Sequence, residues 1–265
     1  EAIRRRFVAA PDANVILVST AGRLWKGSVA RLAQGLPINN GEHLVYAGVA
    51  DPALKLALAT RRGSIKRVAV EDALNRAEAT WGMIVGLEAD DAVVFAGLGT
   101  DEAQIFLYSA GLPGEAKLLR FPAGAVNPQA TPSARGMAGM KLPEGEAVKG
   151  GLLFEPGSAA KALVLLTTEG FIRRVGLDEF PLQGRAGQGV QVLKVTAATG
   201  QLAGAALAAA DSIVDVYSAR SKRLRLEFKD VPAGKRAHPG SNLRKSFPDL
   251  FGGEALAGVV TLDRV

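Results

Sequence analysis

The sequence predicts an all-β fold: residues 1–265 form one propeller-like disc of about five four-stranded blades. Three observations carry this reading. Apolar residues alternate with a period of two in short runs rich in Val, Ile and Leu, the pattern of strands rather than helices. The 31 Gly and 13 Pro supply the turns that many short strands need. Finally, a strand–turn–strand unit recurs along the whole chain, and self-similarity at roughly 40–60 residues is the mark of a repeat architecture.

Taken in order, the first unit is "NVILVSTAGRLWKGSV" (14–29), an apolar run ending at Thr20, a turn at Gly22, then Arg23 and Lys26. The second, "LKLALATRRGSIKRVAVEDA" (54–73), has Thr60, Gly63 and the basic pair Lys66 and Arg67. A looser third copy, "AQIFLYSAGLPGEAKLLRF" (103–121), is stretched after Gly111 and carries Lys117 and Arg120. The fourth, "KALVLLTTEGFIRRVGLDEF" (161–180), places Arg173 and Arg174 just past Gly170. The fifth, "SIVDVYSARSKRLRLEFKDV" (212–231), has Ser221 at the turn, followed by Lys222, Arg223 and Arg225. Gly-rich or basic loops and further strands separate the copies, as in "ARGMAGMKL" (134–142) and "RAGQGVQVLKV" (185–195). The Ala-rich stretch 200–216 reads as two strand edges, because Gly204 and its place in the repeat oppose a helix. Four-stranded sheets set radially protect their edges, which gives the disc.

Together, the T-x-x-G turn, "IRRV", "LDEF" and "QGRAGQGV" resemble the C-terminal domain of the A subunit of bacterial type IIA topoisomerases, gyrase and topoisomerase IV. The resemblance is strongest over 161–231 and 54–90. It implies a β-pinwheel whose rim binds and bends duplex DNA beside the cleavage core of the same polypeptide. An ATPase B-type subunit, an ATP-dependent parent enzyme and a cytoplasmic, nucleoid-associated location are implied with it. Gyrases carry a basic signature, Q-R-R-G-G-K-G, in the first blade. Here that region is "LAQGLPINNGEH" (32–43), with no Lys or Arg after Arg31. The nearest match, "QGRAGQG" (183–189), lies in a late blade and lacks two of the basic residues. Binding and bending without full chiral wrapping is the expectation.

The residues support a polyanionic partner independently. Lys and Arg number 32 against 26 acids, a net charge of +6. Strand ends just past a turn sit at the sheet margin. Recurring cations there, Arg23, Lys26, Lys66, Arg67, Lys117, Arg120, Arg173, Arg174, Lys222, Arg223 and Arg225, predict a discontinuous track on one rim. Arg135, Arg185 and Gln188 join it from the Gly-rich loops, whose glycines would let backbone N–H groups approach phosphate. Lys235, Arg236, Arg244 and Lys245 add the densest basic stretch. The acidic segment 88–104 is expected to face away, at a blade junction. Solvated strand ends on a protein-interaction propeller are the competing reading.

Catalytic chemistry finds little support. Cys is absent, and His43 and His238 lie far apart in polar loops. None of Tyr46, Tyr108 or Tyr217 follows an Arg, as the topoisomerase nucleophile does. No phosphate-cradling G-x-x-x-x-G-K-[ST] loop appears. Neither catalytic residue, metal nor cofactor is expected. No run of about 18 apolar residues reads as a membrane span. The opening "EAIRRRFVAAPDAN" lacks Met and predicts a fragment of a longer chain.

Overall fold

The computed structural model describes residues 7–35, 38–39, 41–75, 77–111, 114–251 and 253–262. Strands β1 (Asn14–Ser19) and β2 (Arg23–Ser28) make the first hairpin, and β3 (Leu44–Val49) returns along β1. The second repeat supplies β4 (Lys55–Thr60), β5 (Ser64–Ala69), the two-residue β6 (Gly82–Met83) and β7 (Val93–Gly99). The third supplies β8 (Gln104–Ser109), β9 (Glu115–Pro122), β10 (Met137–Ala138) and β11 (Val148–Phe154). In the fourth are β12 (Ala162–Thr167), β13 (Phe171–Gly176), β14 (Val190–Lys194) and β15 (Leu202–Ala208). The fifth has β16 (Ile213–Ser218), β17 (Arg223–Glu227), β18 (Ser241–Asn242) and β19 (Leu256–Leu262). The Ala-rich stretch divides into β15 and β16, as its pattern predicts.

The sheets are all antiparallel, in the orders β3-β1-β2-β6, β10-β5-β4-β7, β11-β8-β9-β14, β15-β12-β13-β18 and β17-β16-β19. Strands are therefore exchanged. After each hairpin from the second on, the chain reaches back to pair with the preceding blade, then returns as the inner strand of its own. The outermost strand of a blade thus comes from the next repeat, where the repeat alone suggested self-contained units. Exchange covers an edge that would otherwise be open. Four blades have four strands; the fifth has three among the described residues, with β17 at its edge.

Turns follow local chemistry. Gly22, Gly63 and Gly170 have φ of 70°, 89° and 89°, left-handed values that a side chain resists. Ser221 holds the same place in the fifth hairpin at φ 64°. Each hairpin then leads into a single helical turn: α1 (Val29–Leu32), α2 (Val70–Leu74), and 3₁₀ turns at Ala123–Ala125, Leu177–Glu179 and Phe228–Asp230.

Blades join through four apolar clusters, one for each consecutive pair. Examples are Leu24 with Leu58, Ile65 with Leu107, Leu118 with Leu165, and Ile172 with Val216. Hydrophobic burial drives these contacts without direction. The inner strands β3, β7, β11, β15 and β19 all face one central channel of about 550 Å³. Tyr46, Tyr108 and Tyr217 are buried and line it.

Candidate nucleic-acid interface

Cations past the hairpin turns fall into three groups that the sequence does not separate. Lys26, Arg67, Arg120 and Arg174 hold one register, opposite Ile16, Ala57, Phe106 and Val164. Each reaches across the blade junction to carbonyls of the following repeat's helical turn. Lys26 Nζ donates to Leu74 O. Arg67 Nη1 donates to Ala123 O at 2.8 Å and Val126 O at 3.3 Å. Arg120 Nη1 reaches Leu177 O and Phe180 O at 2.8 and 2.9 Å. Arg174 Nη1 reaches Phe228 O at 2.9 Å, its guanidinium 4.4 Å from the Phe228 ring centroid. Ala123 O, Leu177 O and Phe228 O already close their own turns, and a carbonyl's second lone pair leaves room for the cation as well. These four residues are latches between blades.

The next register explains the basic pairs. Lys66 and Arg173 point to the opposite face and are 1% and 0% exposed. Lys66 Nζ donates to Ile84 O, Thr131 O and Ala134 O at 2.8, 2.7 and 3.2 Å. Arg173 Nη2 donates to Val192 O and, at 2.6 Å, to Arg236 O, while Nη1 reaches Pro239 O at 3.3 Å. Burial pushes the Arg173 guanidinium down to about 10, still charged at neutral pH. In each pair one cation grips the next blade and the other anchors the loop that carries its own blade's outer strand. The expected rim position of Arg173 and Arg174 is corrected accordingly. Lys66, Arg67 and Arg173 are buried, and Lys26, Arg120 and Arg174 are partly buried with their charges turned to carbonyls. Phosphate cannot reach a guanidinium enclosed by backbone.

The third group is exposed: Arg135, Arg185, Gln188, Lys222, Arg223, Arg225, Lys235 and Lys245. Arg185 straddles its loop, donating to Ala125 O and Ala138 O at 3.1 Å each. Arg135 lies 3.2 Å from Glu88, and Lys222 lies 2.9 Å from Glu254. Half-buried Arg236 donates to Glu179 O at 2.8 Å, Arg244 pairs with Glu169, and Lys117 pairs with Glu115 at 3.3 Å. Arg23 is tied to Glu42.

Glu42 belongs to a pattern that sequence reasoning missed. Glu42, Asp91, Glu146 and Glu254 each stand two residues before an inner strand and close a hairpin tip. Ser19 Oγ donates to Glu42 at 2.7 Å, Arg62 N to Asp91 at 3.0 Å, Gly111 N to Glu146 at 2.9 Å, and Ser218 Oγ to Glu254 at 2.7 Å. Hydrogen bonds from Arg23 and Ser19 hold Glu42 below its usual range, and those from Ser218 and Lys222 do so for Glu254. The hairpin tips therefore carry carboxylates beside their cations. The signal was available in the spacing of the acids. The acidic segment is likewise engaged, Glu88 with Arg62 and Arg135, and Asp101 with Lys55 and Arg67.

The glycines of the basic loops also have a packing role. At Gly136, Gly189 and Gly240 φ is 84°, 76° and 92°. A Cβ there would meet Ile65 O, Leu118 O or Ile172 O at 2.3, 2.5 or 2.2 Å. Close approach to the hairpin strand requires glycine at each, before any ligand is considered. His43 and His238 are exposed, and His238 Nδ1 accepts the Gly240 N–H at 3.0 Å. Among the described residues, no three His, Cys, Asp or Glu side chains are grouped for a metal, and no helix is long and apolar enough to cross a membrane.

The family model described as "DNA gyrase C-terminal domain, beta-propeller" matches residues 116–154 and 161–209. The A subunit of DNA gyrase from Staphylococcus aureus (strain MRSA252) is 23% identical over 254 residues, 90% of this chain and 28% of that protein. The chain thus spans little more than a quarter of the curated relatives it matches. Among solved structures, the C-terminal domain of DNA topoisomerase IV superposes with a TM-score of 0.81 at 21% identity, covering 96% of this chain and 80% of that one. A DNA gyrase A C-terminal domain gives 0.79 at 18% identity, covering 96% and 84%. The E. coli ParC C-terminal domain gives 0.65 at 17%, covering 96% and 100%.

Proposed function

We propose that this chain is a C-terminal β-pinwheel domain of a type IIA topoisomerase A subunit and that it binds and bends duplex DNA for such an enzyme. The observation that carries this reading is the division of its cations. Those enclosed by carbonyls hold the disc together, which leaves Arg135, Arg185, Lys235 and Lys245 exposed on the loops around the outer strands. Phosphates repeat along a duplex and carry no sequence information, so scattered exposed cations on a rigid rim suit them. Gln188 adds a neutral donor beside Arg185.

In this reading the domain captures a DNA segment and offers it to a cleavage core elsewhere in the same polypeptide; the ATPase subunit is a further partner. The parent is an ATP-dependent type II topoisomerase of the bacterial cytoplasm, and this domain supplies no catalytic residue, metal or cofactor. Wrapping is weak, because the region 32–43 carries no cation after Arg31; Leu36, Pro37 and Asn40 within it lie outside the described residues. The test is binding of a labelled linear duplex across a salt series. A steep fall of affinity with salt supports the proposal, since each neutralised phosphate contributes about 0.9 to the logarithmic slope. Undetectable binding at low salt would leave the charge as mere solvation, as on a protein-interaction propeller.

A further inference from the structure

The fifth blade breaks the register rule that the other four obey. In those four, the residue two places before the latch faces the next blade and is apolar: Leu24, Ile65, Leu118 and Ile172 are no more than 2% exposed. They pair across their hairpins with Val18, Ala59, Tyr108 and Leu166. In the fifth blade the corresponding pair is Tyr217 with Arg223, and the latch position, opposite Asp215, is Arg225. Both arginine side chains remain 45% exposed. An apolar junction face has become a guanidinium face.

Asp215 accounts for how that face is held. It occupies the place of Ile16, Ala57, Phe106 and Val164, and it is completely buried. Its carboxylate accepts Arg225 Nε at 2.8 Å and Nη2 at 2.9 Å, and Arg223 lies 4.0 Å away. A two-point pair fixes the guanidinium plane and leaves Nη1 of Arg225 outside it. The hydrogen bonds from Arg225 to Asp215 hold the guanidinium firmly protonated. Arg225 thus makes no carbonyl latch of the kind its four counterparts make.

The strand that carries these residues also differs. β17 is an edge strand among the described residues, whereas β2, β5, β9 and β13 are each covered by an outer strand. In the fourth blade Arg174 N donates to Pro232 O at 2.8 Å across that covered edge. By register, Arg225 N points from the same place in the fifth. Neighbouring charges are mutually engaged, Lys222 with Glu254 and Lys229 with Glu227. Exposed Arg220 stands beside the turn.

We propose that the β17 edge, with Arg223 and Arg225 held over Asp215, is a phosphate-contact site that anchors duplex DNA at the last blade rather than the first. This rests on the DNA-binding reading and specifies where the grip is strongest. An acidic peptide added as a further strand would use the same edge, but two exposed guanidiniums two residues apart on one face of the strand favour phosphates. The experiment compares the wild-type domain with Arg223→Gln and with the double variant Arg223→Gln/Arg225→Gln, measuring duplex binding by anisotropy across a salt series. The expected result is a slope reduced by about 0.9 for the single change and roughly twice that for the double. Arg223→Gln leaves the Asp215–Arg225 pair intact, so its thermal stability should match wild type and its binding is interpretable alone. A wild type that binds duplex, with an unchanged slope in Arg223→Gln, overturns this site and leaves the general function standing. A wild type that binds no duplex overturns both. Loss of an acidic-peptide complex with duplex binding unchanged would reassign the edge to a protein partner.

Discussion

Replacing Arg67 by Met tests the latch role against the DNA-contact role most sharply. Arg67 is 1% exposed and donates to Ala123 O, Val126 O and Thr100 O, with Asp101 at 2.6 Å. Met preserves much of the stem packing but leaves three carbonyls without their cation. Hydrogen bonds to a charged group contribute about 1.5–3 kcal/mol each, and relief of the buried charge offsets part of the loss. Asp101 is 54% exposed at its side chain and returns to water at little cost. The net expectation is a loss of about 3 kcal/mol, or roughly 6–12 °C in Tm for a chain of this size. Calorimetry should be run beside Arg185→Met, an exposed position where the change should stay below about 1 kcal/mol. Duplex affinity of Arg67→Met, measured well below its Tm, should equal wild type. A variant with unchanged Tm but weakened DNA binding would refute the latch and restore Arg67 to the DNA-contacting rim.

Other outcomes follow from the same geometry. Glu42, Asp101 and Glu254 are held below their ordinary values of 4.5, 3.8 and 4.5, so their contribution is complete above those values and lost as pH falls through the lowered ones. Acid unfolding should therefore begin below about pH 4.5, and Glu42→Gln should flatten that dependence in urea midpoints measured against pH. Gly189→Ala should destabilise the domain by about 1–3 kcal/mol in urea titration, because its φ of 76° and the Leu118 carbonyl both oppose a Cβ. Plasmid relaxed and ligated with the isolated domain should show little linking-number change, since the sequence 32–43 carries no Lys or Arg; a large positive shift per domain would contradict this.

The hairpins were legible because each opens with a six-residue, largely apolar strand and four of the five turns carry glycine. β6, β10 and β18 were not, since two residues carry no period, and nothing local says that a strand joins the preceding blade. The burial of Arg67 and Arg173 was hidden for a different reason. β5 and β13 are covered on both faces, so alternation gives no exposed side to which a cation can be assigned. Their partners are carbonyls roughly 20–70 residues away, and backbone acceptors leave no mark on composition. The exposed loop cations could be told from the latches only once the blades were assembled.

The most direct measurement is the salt dependence of duplex binding for two multiple variants with equal charge removed. One replaces exposed Arg135, Arg185, Lys235 and Lys245 with Gln; the other replaces the latches Lys26, Arg67, Arg120 and Arg174. The exposed set should lose slope, by up to about 3.6 for four contacts, while its Tm stays near wild type. The latch set should lose stability instead, with any fraction that remains folded keeping the wild-type slope. A folded exposed-set variant that binds DNA with undiminished slope would contradict the division of cations on which the proposed function rests.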